Sequence, residues 1–325
     1  MEETKDSRLR GMGSFISELA TKAMAVNTMK TYNQGLRAWK QWAGRFPEAN
    51  TIPIKPLHLA AFFASVVQQH GKFGKIEQAF YGLNWLHKVL NVPNPCESTL
   101  VRHVKDASKR ILKNRVVKKC PIRPHHLRRL VSKFGCSRNL LHLRVVAIAL
   151  VSYAGFLRYD EVSQIRRNHI QFEATYFNLF LPSSKTDQEA DGETVHIAYT
   201  GHATCPGKAL RRYLRSAQVK DDDSRYIFRP ATRTKDGHKL KDAIKPIAYT
   251  TTRDTVMAAV QDIELNRKLF GLHSFRRGGA SEAARRGVPD RLFKKHGRWK
   301  SENAKDGYVS EDTETRLTVS RNLGI

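Results

Sequence analysis

Cysteine is scarce in this 325-residue chain: Cys96, Cys120, Cys136 and Cys205 stand far apart, with no Cys-x-x-Cys pair among them. That spacing argues against a disulfide framework and against a structural zinc site. His202 and Cys205 form the only near pair, too short a pattern for a metal-ligand set. Long apolar runs are missing as well. The longest, Val145 to Leu157, contains Tyr153 and Gly155 and follows Arg144, which falls short of the roughly 20 apolar residues of a bilayer span. It reads as a buried helix, and no membrane partner is expected. The opening stretch MEETKDSRLRGMGSF has acidic residues first and no apolar centre, unlike a secretory signal. The expectation is an intracellular protein, nuclear if its source is eukaryotic. No Gly-rich phosphate loop, acidic metal triad, internal repeat or low-complexity tract occurs, so neither metal nor cofactor is expected.

Negative charge is also in short supply. Lys and Arg number 57 against 30 Asp and Glu, a formal charge of +27. Such an excess favours a polyanionic partner. It is spread along the chain, with 18 basic and 8 acidic residues in 1–117 and 39 and 22 in 118–325. What is plentiful is material for packed cores: 15 Phe, 10 Tyr and 4 Trp. The length suggests about two domains.

Apolar residues at Met29, Tyr32, Leu36, Trp39 and Ala43 step by three and four behind an Asn27-Thr28 cap, which predicts a helix from Asn27 to Phe46. Pro56–His70, Lys75–Leu90 and Glu97–Asn114 repeat the pattern between Pro and Gly punctuation. A four-helix domain over 1–114 follows. Its last helix sets Arg102, Lys105, Lys109 and Lys113 beside an apolar stripe of Leu100, Val101, Val104, Ala107 and Ile111. A solvated charged face and a DNA-facing surface both remain open for these four residues. Residues 115–124 form a basic, proline-containing linker. Beyond it, 125–325 reads as mainly helical with a small antiparallel sheet: helices near 124–134 and 139–154, strand patterns HIQFEA, YFNLFLP and ETVHIAY, then helices at Pro206–Ala217, Thr251–Ile263, Ser274–Arg286, Pro289–Lys295 and Ser301–Tyr308.

Four segments of this second part carry side chains suited to one phosphodiester. In HSFRRGGAS, His273 and Arg276 lie one helical turn apart and project from one face. Arg can donate two hydrogen bonds to phosphate oxygens while His donates a third or moves a proton near neutral pH. In GFLRYDEVSQI, Arg158 follows the most apolar helix, with Glu161 three residues on. It is either half of a surface ion pair or a core-edge guanidinium that Glu161 holds for an anion. Lys185, in a polar turn between strand patterns, is either a solvated hairpin tip or a mobile donor to a leaving oxygen. Tyr308, nine residues after Trp299, is either an amphipathic surface tyrosine or a nucleophile that conserves a broken bond as a covalent ester.

The order and spacing of Arg158, Glu161, Lys185, His273-x-x-Arg276, Trp299 and Tyr308 resemble those of the tyrosine recombinases, the lambda-integrase and Cre class that includes the Xer proteins. HSFRRGGASEAARRGV is similar to the Cre-like form of the motif. The resemblance implies a helical core-binding domain and a catalytic domain closing as a clamp on double-stranded DNA, with Arg277 among the DNA-binding residues. It implies a site-specific recombinase or integrase, from a mobile element or virus, that needs no metal or nucleotide. In that reading Arg158 and Arg276 hold the scissile phosphate, Tyr308 attacks to leave a 3′-phosphotyrosine, Lys185 protonates the leaving 5′-oxygen, His273 assists proton transfer, and Trp299 hydrogen-bonds or packs. A homotetramer on two DNA sites is expected, monomeric or dimeric without DNA. Type IB topoisomerase-like relaxation and an inactive DNA-binding regulator descended from such an enzyme remain the alternatives.

Overall fold

Why the apolar run near residue 150 needs no membrane is visible in its surroundings. The computed structural model describes residue 8 and residues 12–113, 118–182, 192–235, 237–310 and 313–323. They belong to two compact units, 1–117 and 118–325. No described helix is long and apolar enough to cross a membrane.

Among the described residues, the first unit contains the helices α1 (Gly13–Lys22), α2 (Val26–Ala43), α3 (Pro56–Gln68), α4 (Phe73–Val89) and α5 (Thr99–Ile111). Trp39, Leu59, Phe62, Phe63, Ile76, Leu83 and Val101 form its core, with Trp39 edge-on to Phe62 at 5.7 Å between ring centres. Sequence patterning predicts four helices here. It passed over α1, which starts at Met12 and Gly13 with no side-chain cap and no acidic first turn. The Asn27-Thr28 cap is also corrected: α2 begins at Val26 with Ala25 as its uncapped N-cap, and both residues lie inside the helix. On α5 the stripe is rephased. Val101 and Ser108 are buried and Val104 half-buried, whereas Leu100 is 46% and Ile111 68% exposed. Packing against α3 selects the face one residue round from the larger apolar side chains.

The second unit contains α6 (Pro124–Phe134), α7 (Leu140–Ala154), α8 (Tyr159–Ser163), strands β1 (Ile170–Phe172), β2 (Tyr176–Leu181) and β3 (Glu193–Ala198), α9 (Pro206–Ser216), β4 (Ala231–Thr234), β5 (Gly237–Leu240), α10 (Tyr249–Asp262), α11 (His273–Arg285), α12 (Asp290–Gly297), α13 (Glu302–Asp306) and α14 (Thr313–Arg321). It is mainly helical with small antiparallel sheets, as the patterning predicts. β1, β2 and β3 pair in that order with Leu179 opposite both Ile170 and Val195. Alternation puts Phe177, Leu179 and Leu181 inward. The β4–β5 hairpin was not foreseen, because its first strand, Ala-Thr-Arg-Thr, is polar and mostly exposed and carries no apolar alternation.

Helix α7 is the axis of this unit. It is apolar nearly all round, as a helix buried on every side must be. Ala147, Ile148 and Val151 join the sheet and α9 through Phe177, Leu179, Ile197, Leu210 and Tyr213. Val145, Val146, Ala149 and Leu150 join α6, α10 and α11 through Leu127, Val256, Val260 and Phe275. The approach of α11 to α7 depends on Gly279, where a Cβ would lie 2.1 Å from the Tyr153 carbonyl oxygen. Gly279→Ala is therefore expected to destabilise the protein by about 1–3 kcal/mol, the usual range for overpacking, or more since backbone is in the way. Urea unfolding checks it; a midpoint equal to wild type would show that the two helices can part at no cost.

Candidate active site

The end of α7 sets up the first of the predicted side chains. After Ala154 the chain turns through Gly155 and through Phe156, at a φ of 47°, and delivers Arg158 as the N-cap of α8. Glu161, three residues on, accepts from the Arg158 backbone N–H at 2.7 Å and from its Nη1 at 2.8 Å. The pair is not a surface ion pair: the two side chains are 16% and 2% exposed. Burial works to lower the Arg158 pKa, but Glu161 and then the Tyr308 phenol, by charge and side-chain hydrogen bonding, raise it above the usual arginine value.

Helix α11 supplies His273 and Arg276 from its first turn, on the side facing α8. Arg276 is fully buried. Its Nη2 donates to the Gly297 carbonyl at 2.6 Å and its Nη1 to the Phe156 carbonyl, with Glu161 Oε2 3.7 Å away. Burial and then the charge of Arg158 push its pKa down to about 10. The rings of Trp299 and Tyr308 lie over the guanidinium, with centroids at 5.1 and 4.8 Å. His273 is exposed to solvent. Crowding against the cleft wall, and then the charges of Arg276 and Arg158, push its imidazole down to about 4. At neutral pH it is an uncharged ring, able to accept a proton.

Trp299 and Tyr308 come from the short helices that follow. Trp299 folds back over Gly297, where a Cβ would meet the indole at 1.9 Å. It packs on Phe293 and Phe156 with centroids at 5.0 and 6.1 Å, and its indole N–H is buried without a partner. Tyr308 follows α13, which Lys305 ties back to α12 through Asp290 and to its own first residue, Glu302. The Tyr308 ring lies 5.3 Å from Trp299 and 5.0 Å from His273, centre to centre. Ser281 of α11 donates to the Tyr308 carbonyl at 3.4 Å and accepts from the Ser310 N–H at 2.8 Å.

Arg158, His273, Trp299 and Tyr308 line one cleft of about 810 Å³, with Lys300 and Ser301 at its rim. Arg276 and Glu161 lie behind its wall. Lys185 lies outside the described residues; the strands on either side of it, β2 and β3, are paired along their whole length. His296, one position before Gly297, bonds the Ala154 carbonyl at 2.7 Å. Of the basic residues singled out for DNA, Arg102 donates to the Cys96 carbonyl at 3.2 Å, Lys105 sits 4.1 Å from the Phe80 ring centre, and Lys109 and Lys113 are exposed. Arg277 donates to the Lys119 carbonyl at 2.9 Å.

One residue was missed by sequence reasoning. Arg298 is buried at the C-terminal end of α12, in the left-handed region with φ 56° and ψ 42°. It donates to Glu161 Oε2 at 2.8 Å. A guanidinium at a position that favours glycine is the only trace of this in sequence, and it is visible only once the helix end is known. One buried carboxylate thus faces three guanidinium groups. Such an excess of positive charge in a low-dielectric setting suits an anion held at the cleft.

A sequence profile of the phage integrase family matches residues 123–315. An integrase/recombinase XerD homolog of Selenomonas ruminantium is 25% identical over 294 residues, 89% of this chain and 83% of the relative. Among solved structures, the fold is similar to that of the XerH site-specific recombinase bound to palindromic difH substrate in a post-cleavage complex, with a TM-score of 0.63 at 16% identity over 90% of this chain and 79% of that one. It is also similar to a lambda integrase dimer bound to a COC′ core site, with a TM-score of 0.56 at 14% identity over 92% and 76%.

Proposed function

The chain belongs to the phage integrase family, and from that premise we propose that it is a site-specific DNA recombinase that cuts and rejoins strands through a tyrosine ester on Tyr308. The observation that carries the reading is the meeting of Arg158, His273, Trp299 and Tyr308 at one cleft, with Arg276 directly behind. A scissile phosphate enters beside Arg158, whose guanidinium neutralises the charge that grows on the equatorial oxygens. Arg276 supports the same oxygens once the two rings over it shift toward substrate. The Tyr308 phenol attacks phosphorus, His273 takes its proton as an uncharged imidazole, and the 3′-phosphotyrosine keeps the energy of the broken bond. Lys185 protonates the departing 5′-oxygen. The Trp299 indole N–H, buried without a partner, donates to a phosphate oxygen.

Double-stranded DNA is the partner that the charge calls for. Arg102, Lys105, Lys109, Lys113 and Arg277 make backbone contacts, with residues 1–114 as a core-binding domain joined through a linker at 115–124 to the catalytic part. Each phosphate neutralised releases counterions, so affinity falls steeply with salt. The working species is a homotetramer on two DNA sites, in which Leu317 of α14 and Leu323 just beyond its end, both exposed, dock on a neighbouring subunit. A nicked suicide duplex taken from the surrounding genomic DNA tests the reading. The expected product is a protein–DNA adduct that survives denaturation, and two such sites exchange strands. Relaxation of supercoils without exchange would replace recombinase by topoisomerase, and no adduct on any duplex would leave only a DNA-binding protein.

A further inference from the structure

Arg298 makes contacts that a residue capping a helix does not need. Its side chain is 1% exposed. Nη1 donates to the carbonyls of Gly155 at 3.2 Å and His296 at 3.1 Å, and Nη2 to Glu161 Oε2 at 2.8 Å and the Phe156 carbonyl at 3.2 Å. Two of these acceptors are shared with the cleft arginines. Glu161 grips Arg158 through Oε1 and its backbone N–H through Oε2. The Phe156 carbonyl also accepts from Arg276. The left-handed backbone would be met at least strain by glycine, yet the chain carries its longest cation there.

We propose that Arg298 is a positioning residue, a buried guanidinium that locks Glu161 and the Phe156 carbonyl so that Arg158 and Arg276 are held in one frame. It lines no part of the cleft and acts only through its neighbours. Nη2 donates to both shared acceptors while Nη1, bonded to the Gly155 and His296 carbonyls, fixes the guanidinium plane, an orientation that a point charge cannot hold. The inference rests on the reading of the cleft as a phosphate-transfer site.

Electrostatics agree with the geometry. Burial raises the Glu161 pKa, but Arg298 first, then the Arg158 N–H, Arg276 and Arg158, hold it below the usual carboxylate value. The groups facing this carboxylate are Arg158 on its own segment, Arg276 and His273 on α11, and Arg298 at the end of α12, with the charge of Glu193 of β3 also acting on Arg298. Without Arg298 the carboxyl protonates at higher pH and loosens its hold on Arg158.

Two variants test this by single-turnover cleavage of a suicide duplex at saturating protein, after circular dichroism and duplex affinity have matched wild type. R298G relieves the backbone and removes the charge. Its rate is expected to fall on the order of tenfold or more, the scale on which partners of site ligands act, with the acid limb of the pH profile moved to higher pH. His273 titrates in the same limb in both proteins, so the displacement is what is read. R298K keeps the charge and loses the fork. It is expected to be slower than wild type with its acid limb in place. Either variant cleaving at the wild-type rate overturns the proposal, and R298K decides alone if R298G does not fold. Wild type that forms no adduct sinks the reading of the cleft instead.

Discussion

Tyr308→Phe is expected to abolish the covalent DNA adduct while leaving duplex affinity within about twofold of wild type. Only the hydroxyl is lost. The ring contacts to Trp299, His273 and Arg276 are made by the aromatic faces, so a phenylalanine packs in the same place and the phenol's hydrogen bond to Arg158 is the contact given up. What disappears is the sole atom proposed to form the ester. Removing a covalent nucleophile costs on the order of 10⁴-fold or more in rate. Denaturing gel electrophoresis after incubation with a nicked duplex reads the adduct, and fluorescence anisotropy reads binding. An adduct that persists in the phenylalanine variant would assign the chemistry to another side chain, with the rest of the cleft unchanged.

Arg276→Lys is expected to reduce cleavage by about 10²–10³-fold, the cost of removing one donor aimed at developing charge. The substitution keeps the charge, so the loss measures geometry. Arg276 spans from Phe156 to Gly297 with two nitrogens of one planar group, and an ammonium on a flexible stem satisfies at most one of those carbonyls in the same pose. The Phe156 carbonyl still accepts from Arg298, so the loss of stability falls on the buried Gly297 carbonyl, about 1–3 kcal/mol if it is left unpaired. Rate and stability must be measured together: single-turnover cleavage at a temperature well below the melting point of the variant separates them. Cleavage within twofold of wild type would place Arg276 in the scaffold and leave the phosphate to Arg158.

Glu161 shows how far local spacing carries. Its position three residues after Arg158 puts the two side chains within reach on any short helix, and the contact is there at 2.8 Å. Spacing leaves open whether the pair is at the surface or in the core. Burial at the end of α7 decides that, because the apolar run that precedes Arg158 is itself surrounded by sheet and helices. Arg276 presents the same division. Its place on one face with His273 follows from helical periodicity, but its complete burial under Trp299 and Tyr308 comes from segments more than twenty residues away in the chain. Arg298 had almost no local signal, since apart from the His296 carbonyl its acceptors lie on Gly155, Phe156 and Glu161, about 140 residues upstream. In the first unit, α1 escaped notice for a related reason: without a cap and with glycines at its start, its helical bias is weak.

Chemistry and order along the chain were set by sequence alone: the cationic excess, the apolar axis of the second unit, and the sequence of Arg, Glu, Lys, His, Arg, Trp and Tyr that shares its spacing with the tyrosine recombinases. Tertiary structure decided which of these side chains meet, which cation is buried, and that Tyr308 reaches the arginines of its own chain. The reason is that hydrogen-bonded periodicity fixes neighbours only within a turn or two of helix. Bringing together residues 158, 276, 298 and 308 requires α11 to be packed against both α7 and α12.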